Sequence, residues 1–412
     1  MKTILTLYCV LAFAAQAAVA IHPNFVVIVG EAQGWASMSV PQDDRNPEGS
    51  KSSFIHTPNL DAIAQNGIRF SDFYASAPRC TPTRAALFTG RSPAQLHMTF
   101  VGENNKEGTV NPGDKVIPPR TVLELPAGIE TIATLLKKQG YATAHFGKWH
   151  VGRVDPKEHG FDESDGANSN GGPENADEPN PKQCYATAKL GMDFMTHQVE
   201  TKRPFYLHIS HYPGRGSETA LPETLNQVKA RPGMQGNDNR IGVAAGNEEI
   251  DKTIGMVLAK LKELGVMDHT YIIYTADHGS QGRDSNGALT NGKGTAWEGG
   301  LRVPLLVAGP GIKPNVFSHV RASTVDLLPT ITELADVPKN KLPQGLEGVS
   351  LTHLLKEDPN QAPQRPRDEF VVHYPHYDKD EIGPASAVLL KNYKMIRVFE
   401  TEQRHLYDLS KD

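Results

Sequence analysis

The string Cys80-Thr81-Pro82-Thr83-Arg84-Ala85-Ala86-Leu87-Phe88-Thr89-Gly90-Arg91 sets a thiol, a proline and an arginine at alternate positions, just ahead of a run that reads as helix. Proline fixes φ at a helix start, where its missing N–H costs nothing. Cys80 therefore belongs at a helix N-terminus, whose free backbone donors and dipole favour negative charge. Arg84 adds a fixed cation nearby. A thiol in such electropositive surroundings suits a reactive centre that handles an anion. Other side chains able to do chemistry fall at similar punctuation points: Gly147-Lys148-Trp149-His150, Asp277-His278-Gly279 and Gly292-Lys293.

Residues this far apart in the chain need a frame to meet. Apolar runs at 25–29, 141–146, 205–210 and 271–275 lead directly into Gly30-Glu31, Gly147-Lys148, His211 and Asp277. Between them, helical spacing recurs. Ile129, Ile132, Leu135 and Leu136 share a face closed by Gly140, and Ile250, Ile254, Leu258 and Leu261 repeat it before Gly265. Strands alternating with helices predict an α/β fold, a large mostly parallel sheet sandwiched by helices. In such folds the site forms beyond the carboxyl ends of the strands. Residues 163–183 and 213–247, rich in Gly, Asn, Pro and Asp, are expected as long substrate-facing loops. After the polar, proline-rich 359–366, the short runs 385–390, 393–399 and 405–409 predict a small antiparallel sheet. The expected division is a leader over 1–20, a catalytic domain over 21–360 and a small C-terminal subdomain over 361–412.

Composition narrows the function classes. A net charge of −5 leaves no basic surplus, which argues against a nucleic-acid partner. Lys2, the apolar residues 4–13 and Ala18-Val19-Ala20 read as a secretory signal, and no later run is long and apolar enough for a membrane span. The chain is thus expected to be secreted or periplasmic. Without the leader only Cys80 and Cys184 remain, and an oxidising compartment leaves a disulfide between them as the alternative to a reactive thiol.

Cys-x-Pro-x-Arg followed by Ala-Ala-Leu-x-Thr-Gly-Arg resembles the sulfatase family. The likeness continues through Pro23-Asn24-Phe25-Val26-Val27-Ile28-Val29, Gly34-Trp35, Thr57-Pro58-Asn59-Leu60-Asp61, Gly140-Tyr141 and Gly147-Lys148-Trp149-His150. Asp277-His278-Gly279, Gly292-Lys293 and Trp297-Glu298-Gly299-Gly300-Leu301-Arg302-Val303-Pro304 complete it in the family's order. The resemblance implies an alkaline-phosphatase-like fold and hydrolysis of sulfate monoesters, on an O-sulfated sugar or an aryl sulfate. In the family a maturation enzyme converts the cysteine to formylglycine. Its hydrate attacks sulfur to give a covalent sulfo-enzyme, and loss of the second hydroxyl's proton then expels sulfate. Carried over, Cys80 is the nucleophile precursor, Arg84 holds it polarised, Lys148 stabilises the hydrate and the sulfate, and Lys293 binds a sulfate oxygen. His150 becomes the base, and an unperturbed imidazole titrates near neutrality. The resemblance also implies one Ca²⁺, held by Glu31, residue 80, Asp277 and His278. The expected partners are a sulfated carbohydrate or small sulfate ester and the formylglycine-generating enzyme. A phosphodiester or phosphonate ester hydrolase of the same fold, and a non-catalytic sulfoglycan-binding protein, are the alternative readings.

Three departures from the family's pattern bear on chemistry. Glu31-Ala32 stand where two adjacent aspartates are usual, and Asp43-Asp44 are the nearby pair that could fold back as a replacement. Arg215 holds the usual position of the leaving-group histidine; arginine binds sulfate through its fork but keeps its proton, which leaves His211 or Lys293 to protonate the alcohol. Thr83 replaces a commoner serine and keeps the hydroxyl. The cluster His373-Tyr374-Pro375-His376-Tyr377 fits either a sugar-binding rim or a strand packed on the core.

Overall fold

Strand β1 (Asn24–Gly30) is apolar from Phe25 to Val29, and every residue of it is buried. A strand without polar alternation must be covered on both faces. In the computed structural model, which describes residues 22–101, 112–170, 181–212, 220–378 and 383–411, β1 lies inside such a sheet. The expected leader over 1–20 falls outside the described residues. The chain continues through β2 (Gly67–Phe70), β3 (Phe73–Tyr74), β4 (Ala142–Gly147), β5 (Glu163–Ser164), β6 (Phe205–Ser210), β7 (Thr270–Ala276), β8 (Leu305–Ala308), β9 (Val316–Ser318) and β10 (Ala322–Ser323). The eight-stranded sheet has the order β5-β4-β6-β1-β7-β8-β2-β9. Within this sheet, among the described strands, only β8 runs against its neighbours on both sides, β7 and β2.

Alternate side chains of β1 divide between two cores. Phe25, Val27 and Val29 enter one, Val26 and Ile28 the other, as the pleat dictates. The principal helices are α1 (Pro58–Gln65), α2 (Cys80–Thr89), α3 (Ile132–Lys138), α4 (Cys184–Glu200), α5 (Pro222–Lys229), α6 (Asp238–Glu263) and α7 (Leu327–Leu334). α2, α3 and α7 cover the first face, and α1, α4 and α6 cover the second. α3 buries Ile132, Leu135 and Leu136 and opens with a capping box between Thr131 and Thr134.

The stretch 213–247 is not one long loop. Residues 213–219 lie outside the described residues, but α5 and the first turns of α6 occupy much of the remainder. Pro222 starts α5, and the Asn237 side chain accepts from Arg240 N to cap α6. Ile241, Ala244 and Ala245 then pack on Phe54, Ile55 and Val228. Small residues blur the hydrophobic period there, yet they let the helix approach closely. Of the other expected loop, residues 163–164 form β5 and 171–180 lie outside the described residues.

Near the C-terminus, β11 (Phe370–Tyr374), β12 (Ala385–Leu390), β13 (Tyr393–Val398) and β14 (Arg404–Asp408) form an antiparallel sheet in sequence order. Its inner face sets Val372, Ala387, Leu389 and Ile396 against Tyr74, Ala296 and Leu301. His373 and Tyr374 are part of β11, while His376 is buried and bonds Thr99 Oγ1 through Nε2 at 2.8 Å. Packing on the core thus describes that cluster better than an open rim. Among the described residues, no helix is long and apolar enough to cross a membrane.

Candidate active site

β4, β6, β1 and β7 are adjacent and parallel, so their carboxyl ends share one edge of the sheet. Glu31 follows β1, Lys148 and His150 follow β4, His211 follows β6, and Asp277 and His278 follow β7. α2 begins at the same edge with Cys80, one turn before Arg84. The Thr83 hydroxyl donates to Ala77 O at 2.7 Å, closing the turn that delivers the helix.

The loop after β4 is tightly fixed. Gly147 has φ +96°, and a Cβ there would stand 2.0 Å from the Ser210 carbonyl oxygen, so only glycine fits. Lys148 N then donates to that carbonyl at 2.8 Å, and Gly147 N donates to both oxygens of Asp165 at 3.0 Å. Trp149 is buried against Phe88, ring centroids 4.8 Å apart, and anchors the segment. The Asn168 carbonyl accepts from Trp149 N at 2.9 Å and His150 N at 3.0 Å. The Thr81 hydroxyl donates to His150 O at 2.7 Å, joining this loop to the first turn of α2.

Arg84 is spread over the whole edge. Its Nε and Nη2 donate to Asp277 Oδ2 at 3.1 and 2.9 Å, Nη2 also to Glu31 Oε2 at 3.3 Å, and Nη1 to Lys148 O at 2.8 Å and to the Ser210 hydroxyl. Lys148 Nζ meets Glu31 Oε2 at 2.6 Å. Lys293 Nζ lies 3.4 Å from Glu31 Oε1 and 3.8 Å from Cys80 Sγ. Burial pushes the Glu31 carboxyl up, but Lys148 and Lys293 outweigh it and hold it well below the usual carboxylate range. Burial and Glu31 likewise oppose ionisation of Cys80, yet Lys148, His278 and Lys293 bring the thiol well below its ordinary value.

Glu31, Cys80, Asp277 and His278 are all buried, and their ligand atoms lie within 4.8 Å of one another, a group able to hold a metal ion. His278 Nδ1 is 2.9 Å from Gly279 O and must be the donor there, which leaves Nε2 facing the other three. The set suits a divalent cation in charge and spacing. Two carboxylates are its hard part, imidazole and thiol its softer part, and Ala32 adds no oxygen side chain.

Cys80, Arg84, Lys148, Lys293, Glu31, Asp277 and His278 are therefore brought together, and buried His150 is tied to them through α2. His211 is less central. Its Nε2 faces Thr253 Oγ1 at 3.3 Å, and burial lowers its pKa to about 4. Arg215 lies outside the described residues. Asp43-Asp44 do not replace the missing aspartate. Arg45, two residues on, neutralises Asp43 through bonds of 2.8 and 2.7 Å, and Asp44 meets His319 at 3.2 Å. Cys80 and Cys184 are both free thiols, so the disulfide alternative is not realised. Ser210, Asp165 and Asn168 hold the site without having been singled out by sequence. Ser210 ends an apolar run just before His211, a position that could have marked it; the Asn168 contacts run through its backbone carbonyl, which residue type does not reveal.

Residues 23–337 match the Sulfatase family profile, and residues 292–412 match that of the N-sulphoglucosamine sulphohydrolase C-terminal region. Human arylsulfatase A is 31% identical over 432 aligned positions, covering 93% of this chain and 76% of that protein. Mouse N-acetylgalactosamine-6-sulfatase is 30% identical, covering 79% of this chain and 65% of its own length, so the chain spans just under two thirds of that relative. Among solved structures, Ps i-CgsB in complex with k-i-k-neocarrahexaose superposes with a TM-score of 0.75 at 23% identity, covering 95% of this chain and 87% of that one. The phosphonate monoester hydrolase of Agrobacterium radiobacter shares the fold at a TM-score of 0.63 and 18% identity, with 95% and 90% coverage. With one profile spanning most of the chain and a relative above 30% identity along nearly all of it, the protein belongs to the sulfatase family of sulfuric ester hydrolases.

Proposed function

We propose that the chain hydrolyses sulfate monoesters at residue 80, after a maturation enzyme has converted Cys80 to formylglycine, and releases alcohol and inorganic sulfate. The observation that carries this reading is the convergence of Arg84, Lys148 and Lys293 on one buried cluster with Cys80 and Glu31. Formylglycine would supply a hydrated aldehyde, with one hydroxyl as the nucleophile that replaces the alcohol on sulfur and the other as the source of the proton whose later loss expels sulfate. The remaining work belongs to the chain's own side chains. Lys148 and Lys293 present ammonium protons to the non-bridging sulfate oxygens, where charge accumulates during attack. Arg84 keeps Asp277 and Glu31 in register with residue 80. His150 takes the proton whose loss releases sulfate. Of the two groups open for the leaving alcohol, Lys293 stands beside residue 80, whereas His211 is turned to Thr253 and carries no extra proton at neutral pH. Lys293 is therefore the proton donor in this reading. Glu31, Asp277 and His278 would hold a cation, Ca²⁺ by resemblance, whose charge would further stabilise the bound anion.

The N-acetylgalactosamine-6-sulfatase relatives favour a sulfated sugar as substrate. The leader-like residues 1–20 favour a secreted or periplasmic location. Peptide mass spectrometry across residue 80, paired with aryl sulfate and aryl phosphate assays, tests the reading. Converted protein is expected to prefer the sulfate ester, and Cys80→Ala to abolish turnover. Full activity with an unaltered thiol, or wild-type rate in Cys80→Ala, overturns it.

A further inference from the structure

We infer that the unconverted chain, with Cys80 still a thiol, binds a zinc-class divalent metal through Cys80, His278, Glu31 and Asp277, so that the chemical state of residue 80 sets which metal the site prefers. This deepens the cation reading given above. It concerns the protein before maturation and requires no turnover.

The spacing of the donors is the first support. Cys80 Sγ is 3.1 Å from His278 Nε2 and 3.4 Å from Glu31 Oε1. His278 Nε2 is 3.5 Å from Asp277 Oδ1 and 3.8 Å from Glu31 Oε1. Ligands held tetrahedrally at zinc's usual bond lengths stand about 3.3–3.8 Å apart, a range that takes in three of these four separations, while the Cys80–His278 contact is shorter. The orientation of the donors agrees. Gly279 O engages His278 Nδ1, so Nε2 is the ring nitrogen that faces Sγ and would ligate the metal. Each carboxylate is divided between two duties. Glu31 gives Oε2 to Lys148 and Arg84 and turns Oε1 to Cys80 and His278, with Lys293 Nζ 3.4 Å from that oxygen, while Asp277 gives Oδ2 to Arg84 and keeps Oδ1 near His278 and Ala32 N.

Donor chemistry then selects the metal. Calcium draws on roughly six to eight hard oxygens. Here two carboxylates are joined by an imidazole and a sulfur, and Ala32 supplies no oxygen side chain where the resemblance expects a second aspartate. Thiolate and imidazole are what zinc favours. Two carboxylates and a thiolate against a dication also give the set sufficient negative charge. As the sulfur–metal bond forms, the Cys80 S–H bond breaks and its proton leaves to solvent; no electron is transferred. Conversion of residue 80 removes the sulfur and leaves oxygen in its place, which hardens the set toward calcium.

The experiment uses full-length protein made without a maturation system, with residue 80 confirmed as cysteine by mass spectrometry and no substrate present. Zinc-loaded protein is exposed to about a hundredfold excess of calcium, and bound metal is counted by elemental mass spectrometry. A parallel sample is loaded with Co²⁺ as a spectroscopic probe. About one zinc is expected to stay per chain, and cobalt to give the intense near-ultraviolet sulfur-to-metal band of a thiolate site. Cys80→Ser, checked for folding by circular dichroism, should lose that band and release zinc at least about tenfold more readily. Displacement of zinc by calcium, or a cobalt spectrum lacking the sulfur band in wild-type protein, overturns the inference. The wild-type measurements decide the matter even if the serine variant fails to fold, and neither depends on whether mature protein cleaves sulfate.

Discussion

Glu31 is the residue on which the charges of the site are hinged. Both its side chain and that of Lys148 are fully buried, 2.6 Å apart, and Arg84 and Lys293 share the same carboxylate. Removing one partner of a buried ion pair strands the other, at roughly 3–5 kcal/mol when no second cation remains. Because two others do remain, Lys148→Met is expected to lower stability by about 2–3 kcal/mol and to abolish most turnover. Lys293 lies farther from Glu31, at 3.4 Å, and its side chain is 8% exposed. Lys293→Met is therefore expected to destabilise by about 1 kcal/mol or less while still reducing turnover strongly. Urea unfolding of the two variants beside their steady-state rates checks this ordering. Equal stability losses would show that burial of the lysine, rather than its closeness to Glu31, sets the cost.

At the scale of elements, α1 depends on a residue from another helix. Its N-cap position, Thr57, makes no side-chain cap bond. Asp251 on α6 supplies the missing acceptors instead: Oδ1 takes Leu60 N at 2.8 Å, and Oδ2 takes Asn59 N at 3.2 Å and Asn59 Nδ2 at 2.9 Å. Burial pushes the Asp251 carboxyl up to about 6, against the pull of these donors. A carboxyl raised in the folded state contributes most stability below its unfolded pKa, near 4, and loses that contribution as pH rises through about 6. Asp251→Asn removes this titration and turns an amide N–H toward a backbone donor. The wild-type advantage over Asp251→Asn should thus be larger at pH 4.5 than at pH 7.5, by about 2 kcal/mol. Denaturation midpoints of both proteins at the two pH values measure it, and an advantage that grows toward pH 7.5 contradicts the assignment. The same tie explains what sequence reading could and could not reach. β1, β6 and β7 were legible because each is a short, mostly apolar run, and the residues at their ends were legible because a glycine or a polar, ionisable side chain follows the run at once. The Asp251–α1 contact spans about 190 positions and leaves no local pattern. The start of α6 reads as loop from sequence because Gly242, Gly246 and Asn247 look like turn residues, although Gly242 and Gly246 are buried there and the Asn247 side chain bonds Val243 O and Gln33. Local propensity yields to packing in such places.

For the whole molecule, the C-terminal sheet is part of how the reacting helix is held. Arg79, the residue immediately before Cys80, forms a two-pronged ion pair with Asp378, and Asp378 also accepts from Tyr374 of β11 at 2.6 Å. Deeper in the same contact, Lys394 of β13 donates to Glu298 Oε1 at 2.7 Å, and Tyr74 donates to Glu298 Oε2 at 2.9 Å. Burial pushes the Glu298 carboxyl up, but Lys394 and Arg302 outweigh it and keep it below its ordinary value. Burial lowers Lys394 and Glu298 opposes that shift, so each charge is tolerated because of the other. Lys394→Met should therefore leave Glu298 buried with weaker compensation and lower stability by about 3 kcal/mol. Lys394→Met combined with Glu298→Gln removes both charges and is expected to regain about half of that loss. Because the sheet reaches Arg79, the single variant should also lose turnover in excess of its unfolded fraction, and the double variant should recover part of it. A thermal melt and a sulfate-release assay on the single and double variants test both effects together. If the double variant melts below the single one, charge pairing is not what docks the sheet, and the link from β13 to the N-terminus of α2 is wrong.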